Sequence, residues 1–148
     1  MAHEQHEQGV FGAALHATLH CTIGCVAGEV VGLMIGVSMS LGPWISMALG
    51  TILAFVFGLS LATVPLARSQ GLTLAAAFSM VWLGEAASIA AMEVAMNAAD
   101  YLLGGASVRS VFAPRFWTSL LLAVPVGFAA ALPINYVMIR RGLGHHHH

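Results

Sequence analysis

Residues 44–66 read Trp44-Ile-Ser-Met-Ala-Leu-Gly-Thr-Ile-Leu-Ala-Phe-Val-Phe-Gly-Leu-Ser-Leu-Ala-Thr-Val-Pro-Leu66, with no charged side chain anywhere. As a helix rising 1.5 Å per residue this stretch is about 34 Å long, enough to cross a hydrocarbon core of about 30 Å. It carries no polar stripe. A helix of a water-soluble bundle keeps one face polar, so lipid is the expected solvent for this segment. Three more segments share the pattern, at about 10–40, 72–103 and 116–139. The residue 116–139 stretch also lacks a polar stripe, and Gly42-Pro43, Gly104-Gly105 and Arg140-Arg141-Gly142 punctuate the chain between or after them. The expected fold is all-α: a polytopic membrane protein, a bundle of four transmembrane helices over 10–141. A polar tail (1–9) precedes it and a tail (142–148) follows, whose closing His145 to His148 run reads as a purification tag.

Composition agrees. The 148 residues are 59% hydrophobic and 7% charged, with mean hydropathy +0.87, whereas a soluble domain carries about 25% charged residues. Lysine is absent, and the five basic residues are Arg68, Arg109, Arg115, Arg140 and Arg141. Schiff-base chemistry therefore has no lysine to use, and no basic stripe points to nucleic acid. The opening Met1-Ala-His-Glu-Gln-His lacks the positive charge of a secretory signal. Pro65 with Arg68 is expected to close the second helix. Trp44, Trp117 and Tyr136 fall near segment ends, where interfacial aromatics are expected. With four crossings, Arg68, Arg140 and Arg141 share a side with both termini, against Arg109 and Arg115 opposite. That excess predicts cytoplasmic termini.

The first segment carries two rows at spacing four, and residues four apart share a helix face. One row is Gly12, His16, His20, Gly24, Gly28, Gly32 and Gly36. Its small residues from Gly24 onward predict close helix packing. The other is Ala17, Cys21, Cys25 and Glu29. Two thiols about one turn apart are poorly placed for a disulfide, but both could reach one soft cation. With His20 and Glu29 they make a set suited to copper(I) or zinc. An ionisable group in the membrane interior costs about 2.5–3.5 kcal/mol on insertion scales, so Glu29 needs a partner or a task.

The third segment places Glu85, Ser88, Met92, Glu93, Met96, Asn97 and Asp100 mostly on one broad face. Methionine at helical spacing is ordinarily core packing. Beside Glu93, Asn97 and Asp100 it gains meaning, because thioethers select copper(I) over hard cations. The first and third helices run parallel, and matching their midpoints sets Cys25 near Ser88 to within a turn, His20 and Cys21 near Glu85, and Glu29 near Met92 and Glu93. The expected metal set is His20, Cys21, Cys25, Glu29, Met92, Glu93 and Met96, with His16, Glu85, Ser88, Asn97 and Asp100 as a secondary polar path. The hydroxyls Ser46, Thr51, Ser60 and Thr63 of the second helix are expected to bond back to their own helix. Pro125 and Pro133 are expected to kink the fourth. The His3-Glu4-Gln5-His6-Glu7 opening reads as a disordered polar tail.

The run His20-Cys21-Thr22-Ile23-Gly24-Cys25 followed by Glu29, with Met92-Glu93 and Asn97, resembles a family of uncharacterised bacterial four-helix integral membrane proteins catalogued as a domain of unknown function. The resemblance covers nearly the whole membrane part. It implies a bacterial inner-membrane location and an intramembrane polar site, and no activity. The paired cysteines also look like those of mercury-uptake proteins, and the Met-xxx-Met helix beside a Gly-xxx-Gly helix looks like the copper-uptake trimers. The chain departs from both, with its cysteines spaced by three residues and four helices rather than three.

The expectation for function is non-enzymatic: transport or binding of a transition-metal ion within the membrane, copper(I) first and zinc second. No Gly-rich phosphate loop or Ser-His-Asp constellation is present in the sequence. Competing readings are a redox protein (thiol-based, or with haem held by His16 and His20 between subunits), a proton-coupled carrier of a small organic molecule using Glu29, Glu85, Glu93 and Asp100, and an assembly subunit. Expected partners are the lipid bilayer, the metal ion and further copies of the chain in a homo-oligomer.

Overall fold

A computed structural model of the chain describes residues 2–142, with side chains from residue 7 onward. The expected tail at 143–148 and the side chains of His3 and His6 lie outside the described residues. Four helices follow in order: α1 (Ala2–Ser38), α2 (Pro43–Gln70), α3 (Leu74–Leu103) and α4 (Pro114–Arg140). A single 3-10 turn, Gly105–Ser107, sits between α3 and α4. Each long helix contains a span apolar enough to cross a membrane. The outer surface agrees: Ile23, Ile52, Leu83, Val94, Leu102 and Leu121 are all more than half exposed, which in lipid carries no hydrophobic cost.

Local chemistry sets most of the helix ends. Pro43 and Pro114 open α2 and α4, where a missing N–H and a fixed φ suit the first turn. Thr73 caps α3 by accepting from the Ala76 N–H at 3.2 Å. Gly71 and Gly104 close α2 and α3 in the left-handed region, at φ 64° and 79°, which costs a glycine little. Two ends differ from expectation. α1 starts at Ala2 rather than near residue 10, because Ala, Glu and Gln are strong helix formers. Pro65 does not end α2, which runs on to Gln70.

α1 packs chiefly against α2 and α3 against α4, with α1 beside α4 and α2 beside α3. α1 and α3 meet diagonally across the centre. The α1–α2 seam is a zipper of small residues. A Cβ built on Gly24 would stand 2.7 Å from the Gly58 Cα, and on Gly28, Gly32 and Gly36 it would overlap Ala54, Gly50 and Ser46. Thus every fourth residue of α1 faces every fourth residue of α2, and the backbones touch as small-xxx-small packing predicts. Interfacial aromatics gather at one end: Trp44 stacks on Tyr101 at 5.5 Å, and the Trp117 indole donates to the Val111 carbonyl at 2.9 Å.

Candidate intramembrane site

The close α1–α2 seam turns the other face of α1 toward the bundle axis, and with it Cys21, Cys25 and Glu29. All three are at most 2% exposed. Both cysteines are free thiols, with sulfurs 3.9 Å apart. From α3, the Ser88 hydroxyl donates to Cys21 Sγ at 3.7 Å, and the Glu93 carboxyl interacts with the Cys25 thiol. Ser88 therefore meets Cys21 rather than Cys25, about one turn from the midpoint alignment. Met92 and Met96 are fully buried in the same core, against Gly127 of α4. A Cβ there would lie 2.9 Å from both Met92 Cγ and Met96 Sδ.

Below the thiols lies an oxygen-rich level. Thr51 donates to Glu93 Oε2 at 3.2 Å. The Asn97 amide donates to Thr51 Oγ1 at 3.1 Å and to the Glu93 carbonyl at 2.9 Å. Thr51 thus reaches across to α3, where the sequence predicts self-bonding; Ser60 does bond its own helix, to Val56 at 2.6 Å. Glu29 packs on Gly50, where a Cβ would come within 3.5 Å of its Cγ, and lies in electrostatic reach of Glu93 and Asp100. Glu29 Oε2, Glu93 Oε1 and Asn97 Oδ1 are buried without a hydrogen-bond donor. Asp100 bonds Ser119 at the far end, under the Gly105–Ser107 turn. Gly105 packs so tightly there that a Cβ would overlap both side chains.

The imidazoles stand apart from the thiols. His20 donates through Nε2 to the Leu61 carbonyl at 2.9 Å. That carbonyl is free because its helical partner would be the nitrogen of Pro65, which has no hydrogen. The proline thus leaves an acceptor and His20 fills it, which explains why α2 survives its proline. His20→Ala is expected to cost about 1 kcal/mol of stability. Pro65→Ala in that same protein is expected to recover most of the loss, because alanine brings back the missing backbone N–H; a double-mutant cycle by denaturant titration measures both. His16, His20 and Glu85 line a cavity of about 560 Å³ with residues from all four helices. Asn135 closes one wall, held by its 2.9 Å bond to Thr18.

The twelve sequence-selected residues therefore fall into a vestibule (His16, His20, Glu85) and a descending ladder: Cys21 with Ser88, Cys25 with Glu93 and Asn97, then Glu29, then Asp100. Met92 and Met96 pack beside its middle. From Glu85 to Asp100 the rungs span about 22 Å of helix, most of the hydrocarbon thickness. They do not close into one shell: among the described residues no three of His, Cys, Asp and Glu gather as a metal cluster. Thr18, Thr51 and Asn135 join the site although the sequence reading does not single them out for it; polar residues facing across helices at membrane depth are the available signal.

Fold and site together define a polytopic helical membrane protein with a thiol- and carboxylate-lined interior. The chain belongs to the family described as Domain of unknown function (DUF4396), whose model matches residues 11–144. No curated protein and no solved structure matched the chain.

Proposed function

We propose that this protein binds a soft transition-metal ion within the membrane and passes it along the ladder, copper(I) first and zinc second. The carrying observation is the buried thiol pair. Two sulfurs bound to one tetrahedral ion at about 2.3 Å stand about 3.8 Å apart, and Cys21 and Cys25 stand at 3.9 Å on an unbroken helix. Soft thiolate and thioether donors favour copper(I) and zinc over hard cations. A series of incomplete sites suits passage better than one closed shell, since conduction needs an ion held weakly at several stations. Glu93, Glu29 and Asp100 are the stations beyond the thiols. In this reading the ion is cargo, the protein performs no chemical transformation, and it works as a homo-oligomer in a bacterial inner membrane with cytoplasmic termini.

Elemental analysis of protein purified reduced and without chelators tests the reading. Wild type loaded with copper(I) is expected to retain close to one ion per chain, and the Cys21→Ser, Cys25→Ser double variant to retain none above background. Equal metal in both proteins would sink the proposal.

A further inference from the structure

The side-chain donors around Glu93 are already committed. The Thr51 hydroxyl gives its hydrogen to Glu93 Oε2. The Asn97 amide engages Thr51 Oγ1, the Glu93 carbonyl and, at 3.4 Å, Glu93 Oε2. That amide has one sensible orientation, because turning it over would set Oδ1 against two Glu93 oxygens that only accept. The Cys25 thiol lies in electrostatic reach of Glu93 but makes no hydrogen bond to Oε1. Three oxygens are left over: Glu29 Oε2, Glu93 Oε1 and Asn97 Oδ1 are buried with no partner. Glu29 and Glu93 are only 1% and 2% exposed.

The leftover oxygens approach one level from two sides. Gly50 and Thr51 are neighbours on α2. Glu29 lies against Gly50, where a Cβ would come within 3.5 Å of its Cγ, and Thr51 bonds Glu93. The carboxyls of α1 and α3 therefore reach α2 at the same height, in electrostatic reach of each other. No arginine answers them: all five lie in connections or in the end turns of helices. Acceptors buried together at membrane depth without a donor or a positive partner are costly, and a cation removes that cost.

The donor set says which cation. Carboxylate and amide oxygens suit hard ions, whereas soft ions prefer sulfur. Calcium takes 6–8 oxygens, and magnesium demands near-octahedral geometry and keeps several waters. Three unserved oxygens are too few for either. Sodium is hard, singly charged and content with a smaller, less regular shell. We propose that Glu29, Glu93 and Asn97 form a site for a desolvated sodium ion, separate from the thiol pair. The two carboxyls supply charge and Asn97 a neutral oxygen. Thr51 is a positioning residue, holding Glu93 Oε2 so that Oε1 is left for the ion. Sodium rests here whether or not the thiols carry a metal, so the inference does not depend on the soft-metal reading.

The test uses reduced, metal-free protein in nanodiscs of zwitterionic lipid, with sodium chloride replacing choline chloride at constant ionic strength. The unfolding midpoint, followed by tryptophan fluorescence, is expected to rise saturably with sodium, because a ligand held only by the folded state stabilises it. Sodium NMR is expected to show excess linewidth over empty nanodiscs. Glu29→Gln and Asn97→Leu are expected to lose the sodium-dependent rise, whatever their midpoints in choline. If neither variant folds, the wild-type linewidth decides. Cys21→Ser is expected to keep the rise while losing soft metal, so the two readings fail separately. A midpoint and linewidth indifferent to sodium, or an undiminished rise in Glu29→Gln, overturns the proposal. Calcium or magnesium that raises the midpoint more than sodium does at matched ionic strength would assign the oxygens to a divalent ion and overturn it equally.

Discussion

Gly28→Leu is expected to abolish the packed bundle, while Gly12→Leu on the same row of α1 leaves it intact. At Gly28 even a Cβ would overlap the Ala54 backbone, and at Gly12 nothing lies within 4 Å. Backbone cannot swing aside as a long side chain can, so α1 must move off α2 along the whole seam. Overpacking in a tight core typically costs about 1–3 kcal/mol, and a clash between two backbones belongs at the upper end or beyond. The seam also fixes the site. Glu29 rests on Gly50, one turn from the Gly28–Ala54 contact, so separating the helices draws Glu29 and Cys25 away from Thr51 and Glu93. Gly28→Leu should therefore lose its metal along with its stability. Denaturant titration in mixed micelles, followed by tryptophan fluorescence, gives the comparison. A Gly28→Leu protein as stable as Gly12→Leu would refute the seam.

Four spans are legible in the sequence because length and hydropathy are properties of each segment alone. The Gly24–Gly36 row is legible too, since a spacing of four needs no knowledge of the partner. Its counterpart, Ser46, Gly50, Ala54 and Gly58, has the same period but is harder to read, because serine and alanine break the run of glycines. What sequence does not supply is the choice of neighbour. His20 precedes Cys21 and reads as its co-ligand, yet on a helix adjacent residues point about 100° apart, so His20 turns toward α2 and the carbonyl freed by Pro65. The same contact hides the true end of α2: proline is a stop where nothing else fills the vacated acceptor, and a histidine from another helix fills this one. The ordinary habit of membrane hydroxyls assigns Thr51 to its own helix. Only the packing of α2 beside α3 brings Glu93 within reach of Thr51.

Binding and passage separate at Glu93. Its carboxyl lies in electrostatic reach of the Cys25 thiol and bonds Thr51 and Asn97 through Oε2, so it stands where an ion leaving the thiols first meets oxygen. Glu93→Gln keeps the length of the side chain and an oxygen that can accept from Thr51. It removes the group able to take a negative charge when a cation arrives. The thiol pair is untouched, so metal content after copper(I) loading is expected to stay near the wild-type value. Passage is a different matter, because the ion must now cross the level below Cys25 without that charge. A charge at membrane depth costs about 2.5–3.5 kcal/mol, and each 1.4 kcal/mol is a factor of about ten, so transport should fall about 100-fold. Proteoliposome uptake of silver(I), a redox-inert substitute for copper(I), measures the rate, and elemental analysis of the same preparation measures the occupancy. Retained metal with lost uptake fits a ladder in which the thiols hold and the carboxylate passes on. Unchanged uptake in Glu93→Gln would take Glu93 out of the path and leave the thiol pair as a binding site alone.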